Sequence, residues 1–245
     1  MFKKNISIVT NYEPCPHRCW FCIWRGHSLE HVRGPSIESI ERFLFKYKNQ
    51  GYSKFSISGT DAIFEYPDRY EQWFEFIHSM CSILGLKYDI HTRSRPDIEI
   101  LKNRNLRKLV LSTENLKDCS EYVTDILQRF STLQVRLVKV ITQNTMDKDI
   151  EDYINFAKKH NVQMTFKQLV GHDDKGKYDM FKEKYSKISD LVVFLDKGDY
   201  NIYLMPDGKE YSIFFNIKSN ERSNVCLPKL RRKSRNTTKE TTFLL

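Results

Sequence analysis

No run of about 18 consecutive apolar residues occurs in the 245-residue chain, so nothing in it reads as a membrane-spanning helix. The first ten residues carry two lysines and only a short apolar stretch. The long apolar region and small-residue cleavage site of a secretory leader are missing, and 6–10 reads better as a first strand. There is no internal repeat beyond an alternation of strand and helix patterns, and no low-complexity segment before the basic end. Cysteines are few and unevenly placed. Cys15, Cys19 and Cys22 crowd into eight residues, while Cys81, Cys119 and Cys226 are scattered. A disulfide framework would spread its cysteines and suit a smaller secreted chain. The expectation is therefore a reducing, cytoplasmic setting and a metal site, with Cys81 and Cys119 as buried thiols.

Hydrophobic residues make up 40% of the chain, enough for a sizeable core. The net charge of +9 is concentrated near the end. The last 21 residues hold Lys229, Arg231, Arg232, Lys233, Arg235 and Lys239 against Glu240 alone. Such a tail reads as solvated and flexible, and as a contact for a polyanion such as nucleic acid.

Apolar periodicity gives the order of elements. Strands are expected at 6–10, 54–58, 88–92, 108–112, 135–142 and 163–170, and helices at 36–49, 70–84, 97–103, 120–130 and 148–160. Pro35 and Gly51 punctuate the first helix, and Gly85 stops the second. Strands that alternate with helices imply right-handed crossovers and a parallel sheet. After Gly171 the pattern changes: 191–195, 200–205 and 210–215 read as short strands of an antiparallel meander. The expected fold is α/β over 1–171, six units whose sheet is either open or curled into a partial (β/α)6 barrel, the partial barrel being the expectation, with a β-rich extension at 172–217 and the basic tail at 218–245. Ligands of such a sheet gather beyond the C-terminal ends of its strands. The chemistry-bearing residues fall there: the three cysteines, then Gly59, Thr60 and Asp61, then Thr92 and Arg93, then Ser112 and Glu114.

The cysteine loop has the spacing C-x3-C-x2-C. Three thiolates so close can ligate three irons of one cubane, leaving the fourth open to a cosubstrate. A Cys3His zinc site completed by His17 or His27 is the competing reading of the same residues. The loop resembles the signature of the radical S-adenosylmethionine (SAM) superfamily, including the aromatic Phe21 before the third cysteine and the position after a first strand. The resemblance implies one [4Fe–4S] cluster on Cys15, Cys19 and Cys22. SAM would chelate the open iron through its amino and carboxylate groups. Its reductive cleavage would give a 5′-deoxyadenosyl radical that abstracts hydrogen from a substrate.

By the same resemblance, Gly59, Thr60 and Asp61 stand where the family carries Gly-Gly-Glu, which holds the SAM amino group; Asp61 is one methylene shorter than that acid. Thr92 and Ser112 would touch the ribose and the methionine carboxylate, and Glu114 the ribose hydroxyls. Arg93 and Lys139 would pair with the SAM carboxylate. Helix capping and turn formation are the structural alternatives for these polar residues. His17 and Arg18, between the ligands, read as solvated or hydrogen-bonded around the metal. Segments 135–162 and 202–208 look like those of the molybdopterin-precursor and peptide-maturase branches, whose auxiliary-cluster cysteines have no counterpart in 209–215.

The expected activity is thus radical SAM chemistry on a nucleotide, nucleoside or nucleic acid, fed by a flavodoxin- or ferredoxin-like electron donor. One alternative is a peptide or protein substrate. The other is a zinc-stabilised nucleic-acid-binding module without catalysis.

Overall fold

A computed structural model describes residues 5–17, 19, 22, 24, 30–169, 175–196 and 201–212. Phe21, His27, Cys226 and the basic tail lie outside the described residues. The six expected strands are β1 (Asn5–Thr10), β2 (Lys54–Gly59), β3 (Lys87–Thr92), β4 (Leu106–Ser112), β5 (Gln134–Ile141) and β6 (Gln163–Gln168). Between them run α1 (Ile37–Asn49), α2 (Ala62–Glu65), α3 (Glu71–Leu84), α4 (Ile98–Leu101), α5 (Ser120–Arg129) and α6 (Asp147–His160). A seventh helix, α7 (Lys175–Tyr185), leads to β7 (Val192–Leu195), β8 (Asn201–Leu204) and β9 (Glu210–Tyr211). Local chemistry sets the ends. Ser36 caps α1 by accepting the Ser39 N–H at 3.3 Å, a contact that stabilises by about 1 kcal/mol. Gly85 ends α3 in the left-handed conformation at φ 60°.

One sheet holds every strand, in the order β7-β6-β5-β4-β3-β2-β1-β8-β9. Sequential order from β1 to β7 with parallel pairing sends each crossover helix to the same face. A doubly wound sheet reverses its order and carries helices on both faces; this one does not, and its β7 and β9 edges are unpaired with each other, as in an incomplete barrel. The expected antiparallel extension is present as the β8–β9 pair. The other pairings differ from a meander: β7 joins β6 in parallel, and β8 lies parallel to β1. The chain after 171 therefore lengthens the sheet at both edges. Partner choice there is decided by long-range fit, which turn residues do not encode.

The two faces have opposite chemistry. Ile6, Ile8, Phe55, Ile57, Tyr88, Ile90, Leu109, Leu111, Leu137 and Phe166 point to the helices and form one buried core with Phe43, Leu44, Ile77, Val123, Ile154 and Phe181. Alternation puts the intervening residues on the other, inner face: Ser7, Val9, Ser56, Asp89, His91, Lys108, Val110, Arg136, Val138, Val140, Thr165 and Lys167. A bulge between Tyr88 and Asp89 sets Arg107 beside Lys108 opposite one acid, and the Arg107 guanidinium pairs with Asp89.

Burial, then the charges of Lys167, Arg136, Lys108 and Arg107, push the His91 imidazole down to about 3. Unfolded histidine takes its proton near pH 6.5, so the native state resists a proton the unfolded chain accepts. The resulting stability is present above about pH 6.5 and is lost as pH falls toward 3, by at most about 1.4 kcal/mol per pH unit. Urea midpoints of the native chain and of His91→Gln should diverge below pH 6.5, the variant falling less steeply. Parallel acid limbs would show that the imidazole does not stay neutral.

Candidate active site

The site grows from the C-terminal end of β1. Gly59, at the end of β2, has φ +119°, and a Cβ there would lie 2.2 Å from the Thr10 carbonyl oxygen. Only glycine permits this approach, which lets Thr60 N–H donate to the Thr10 carbonyl at 2.8 Å. The Thr60 hydroxyl then donates to the carbonyl of Glu13 at 3.1 Å, tethering the entry to the cysteine loop. Asn11 holds the loop's return. Its side-chain amide donates to the carbonyls of Glu30 and Val32 at 2.8 and 2.9 Å, and its oxygen accepts from the Trp24 indole at 3.3 Å. Trp24 packs with Val9, Tyr203 and Met205, and partly buried Cys22 packs against them. The loop is thus anchored on β1 and on β8.

Cys15, Cys19 and Cys22 are free thiols, each partly exposed. Burial pushes the Cys15 thiol up, opposed by backbone N–H groups of Asp61 and His17 that donate to its sulfur. Cys19 Sγ accepts from Arg93 Nη1 at 2.8 Å. The same Nη1 donates to Glu114 Oε1 at 2.5 Å, so one guanidinium joins the cysteine loop to the end of β4. Among the described residues, no group of three or more His, Cys, Asp or Glu is gathered closely enough to hold a single metal ion. A cubane does not require this, because each thiolate reaches its own iron.

Asp61 is the second junction. Its Oδ2 accepts the backbone N–H of Arg93 at 2.6 Å, that of Ser94 at 2.9 Å and the Ser94 hydroxyl at 3.2 Å. The short aspartate therefore ties the end of β2 to the end of β3. His17 Nε2 lies 2.8 Å from Ser94 Oγ, 3.4 Å from Asp61 Oδ2 and 3.5 Å from Glu65 Oε1. Thr92 is buried, its hydroxyl accepting the Ser94 N–H at 2.9 Å. His17, Glu65, Arg93, Ser94, Ser112 and Glu114 line a cleft of about 330 Å³ at this mouth.

The structure thus brings Arg93, Ser112 and Glu114 together around one cleft and joins Asp61 to it through backbone. Gly59 and Thr60 spend their groups on β1 and the loop. Lys139 sits elsewhere: alternation puts it on the helix side, 5.9 Å from the centre of the Tyr153 ring, and its ammonium donates to the Glu114 carbonyl. It positions Glu114 from behind. Phe21 lies outside the described residues. Ser94 and Asn11 escaped the sequence reading because a serine or asparagine just past a strand looks like any turn residue.

No family model matches the chain, and no curated protein does. Among solved structures it is similar to Streptococcus suis SuiB bound to S-adenosylmethionine, with 15% identity and a TM-score of 0.65 over 89% of this chain and 62% of that one. SuiB bound to precursor peptide SuiA gives 14% identity and a TM-score of 0.64, over 85% and 59%. The chain spans about three-fifths of the SuiB length. At such identity the likeness establishes a shared α/β fold with a mostly parallel sheet.

Two substitutions test these junctions. Gly59→Ala must open the β1–β2 contact and should cost roughly 3 kcal/mol in urea unfolding. Gly176→Ala in α7, where a Cβ meets nothing within 4 Å, should be neutral or stabilise by up to about 1 kcal/mol. Equal effects would refute the close-approach argument. Asp61→Ala strands three donors and should cost roughly 2–4 kcal/mol. A loss below about 0.5 kcal/mol would mean that Asp61 does not tie β2 to β3.

Proposed function

We propose that the chain is a radical SAM enzyme that acts on a peptide. The observation that carries this reading is the cysteine loop at the mouth of the sheet: three free thiols in C-x3-C-x2-C spacing, with N–H donors at Cys15 and a guanidinium at Cys19. Thiolates and bridging sulfides carry negative charge, and hydrogen bonds to the sulfurs tune such clusters. The donor set therefore suits an iron–sulfur cluster held by Cys15, Cys19 and Cys22. When bound, a [4Fe–4S] cluster supplies the electron that cleaves SAM, giving the 5′-deoxyadenosyl radical that removes a substrate hydrogen atom.

The chain's own residues place the reactants. Arg93 holds positive charge between Cys19 and Glu114, where an anionic sulfur and a carboxylate face one another. Ser112 and Glu114, open to the cleft, are the groups offered to SAM hydroxyls and carboxylate. Asp61 and Thr92 hold the β3 end that carries Arg93, and Lys139 holds the Glu114 backbone. Phe21, Gly59 and Thr60 complete the expected SAM surroundings, the two β2 residues acting through their hold on the loop.

The likeness to SuiB, solved with SAM and with precursor peptide SuiA, supports a peptide over a nucleotide as substrate. The nucleic-acid reading rests on the basic tail, which lies outside the described residues. A flavodoxin- or ferredoxin-like donor is the partner this chemistry calls for, and a reducing cytoplasm the compartment that keeps such a cluster intact. Among the described residues, no helix is long and apolar enough to cross a membrane.

Anaerobic reconstitution should give a brown protein with about four irons and four sulfides per chain. Alanine at Cys15, Cys19 or Cys22 should each abolish iron loading, and the native chain should form 5′-deoxyadenosine from SAM with dithionite. A colourless protein with one zinc, or alanine variants that keep their iron, would overturn the assignment.

A further inference from the structure

The inner face of the sheet carries bases on successive strands, set among Val110, Val138 and Val140. Lys108 on β4, Arg136 on β5 and Lys167 on β6 alternate with core residues and therefore share that face, with His91 on β3. Arg107 joins them through the bulge. Asp89 is the one carboxylate among these, and it is already paired with Arg107. Three charges are left over. Two of them converge on a neutral atom: Gln163 Oε1 accepts Lys108 Nζ at 3.2 Å and the Arg136 guanidinium at 3.1 and 2.8 Å. Lys167 has no hydrogen-bond or ion-pair partner among the described residues.

This arrangement is costly without a ligand. Burial, then Arg136 and Arg107, push Lys108 down to about 8, and burial with Arg136 pushes Lys167 down as well. Desolvated like charges are kept where something anionic offsets them. A structural role would call for acids in matching number, and among the described strand residues the inner face supplies only Asp89.

We infer that Lys108, Arg136 and Lys167 receive the carboxylates of an acidic segment of the substrate peptide, laid across the inner face of the sheet. This rests on the peptide reading above and adds a charge preference to it. An uncompensated charge of three matches several side-chain carboxylates spaced along an extended chain. Arg136 offers a planar fork suited to one carboxylate, and the two lysines offer adaptable point charges on the strands either side.

Fluorescence anisotropy on the full-length chain tests it. The probes are a short fluorescein-labelled glutamate-rich peptide, its glutamine counterpart and a single-stranded oligonucleotide. The glutamate peptide should bind, with affinity falling roughly tenfold in Lys167→Met and in Arg136→Gln. Lys158→Met, an exposed charge on α6, should leave binding unchanged. Lys167→Met should melt no lower than the native chain, because it removes a desolvated charge. Equal binding of the glutamate and glutamine peptides, or equal affinity across the variants, would overturn the inference. So would tighter binding of the oligonucleotide that is lost in the same variants, since phosphate would then be the ligand. The enzymatic reading is scored separately, by 5′-deoxyadenosine formation in the native chain. Peptide binding with no SAM cleavage sinks that reading and leaves the acidic-peptide site standing; cleavage with no charge-dependent binding sinks the inference alone.

Discussion

Where the backbone of β2 touches that of β1, at Gly59 against Thr10, the geometry of the whole mouth is decided. The contact brings Thr60 to Glu13 and Asp61 to the turn after β3. From there the connections are polar and short: Asp61 to the Arg93 and Ser94 backbone, Arg93 to Cys19 and Glu114. The cysteine loop thus leans on three strand ends instead of standing alone as a surface loop. Asn11 closes its far side. These contacts set hydrogen-bond donors beside the sulfurs of Cys15 and Cys19.

The division of the sheet into two faces has a functional consequence. Helices cover the apolar face and supply the stability of the fold through one continuous core. The inner face carries bases among buried valines such as Val9, Val110 and Val138. Strands β7 and β8 widen the sheet at its two sides without pairing its edges. The cysteine loop at the mouth and the bases along the inner face are thus two features of one sheet, carried by different residues.

Much of this was legible from the chain because the two periods are clear. Val135, Leu137 and Ile141 alternate as a strand must, and Phe43, Leu44 and Tyr47 recur as a helix must. The mouth was legible too, since motifs such as Cys15, Cys19, Cys22 and Gly59-Thr60-Asp61 fall just past strand ends. What stayed hidden depended on contacts between distant segments. Lys139 stands among apolar strand neighbours in the sequence, yet which face it takes follows from the β5–β6 register. The partners of β7 and β8 are likewise distant in sequence. The bases of the inner face give no signal in the sequence, because Lys108, Arg136 and Lys167 each stand in a separate strand and meet only once β4, β5 and β6 are aligned.

The proposal to test is that Cys15, Cys19 and Cys22 would hold a cluster with one iron left open for SAM. Electron paramagnetic resonance of the reconstituted, dithionite-reduced protein reads this at the metal itself. The account predicts a [4Fe–4S] signal whose g-values move when SAM is added, because the amino acid head group enters the coordination shell of the open iron. A reduced protein with no such signal, or a signal indifferent to SAM, would contradict it.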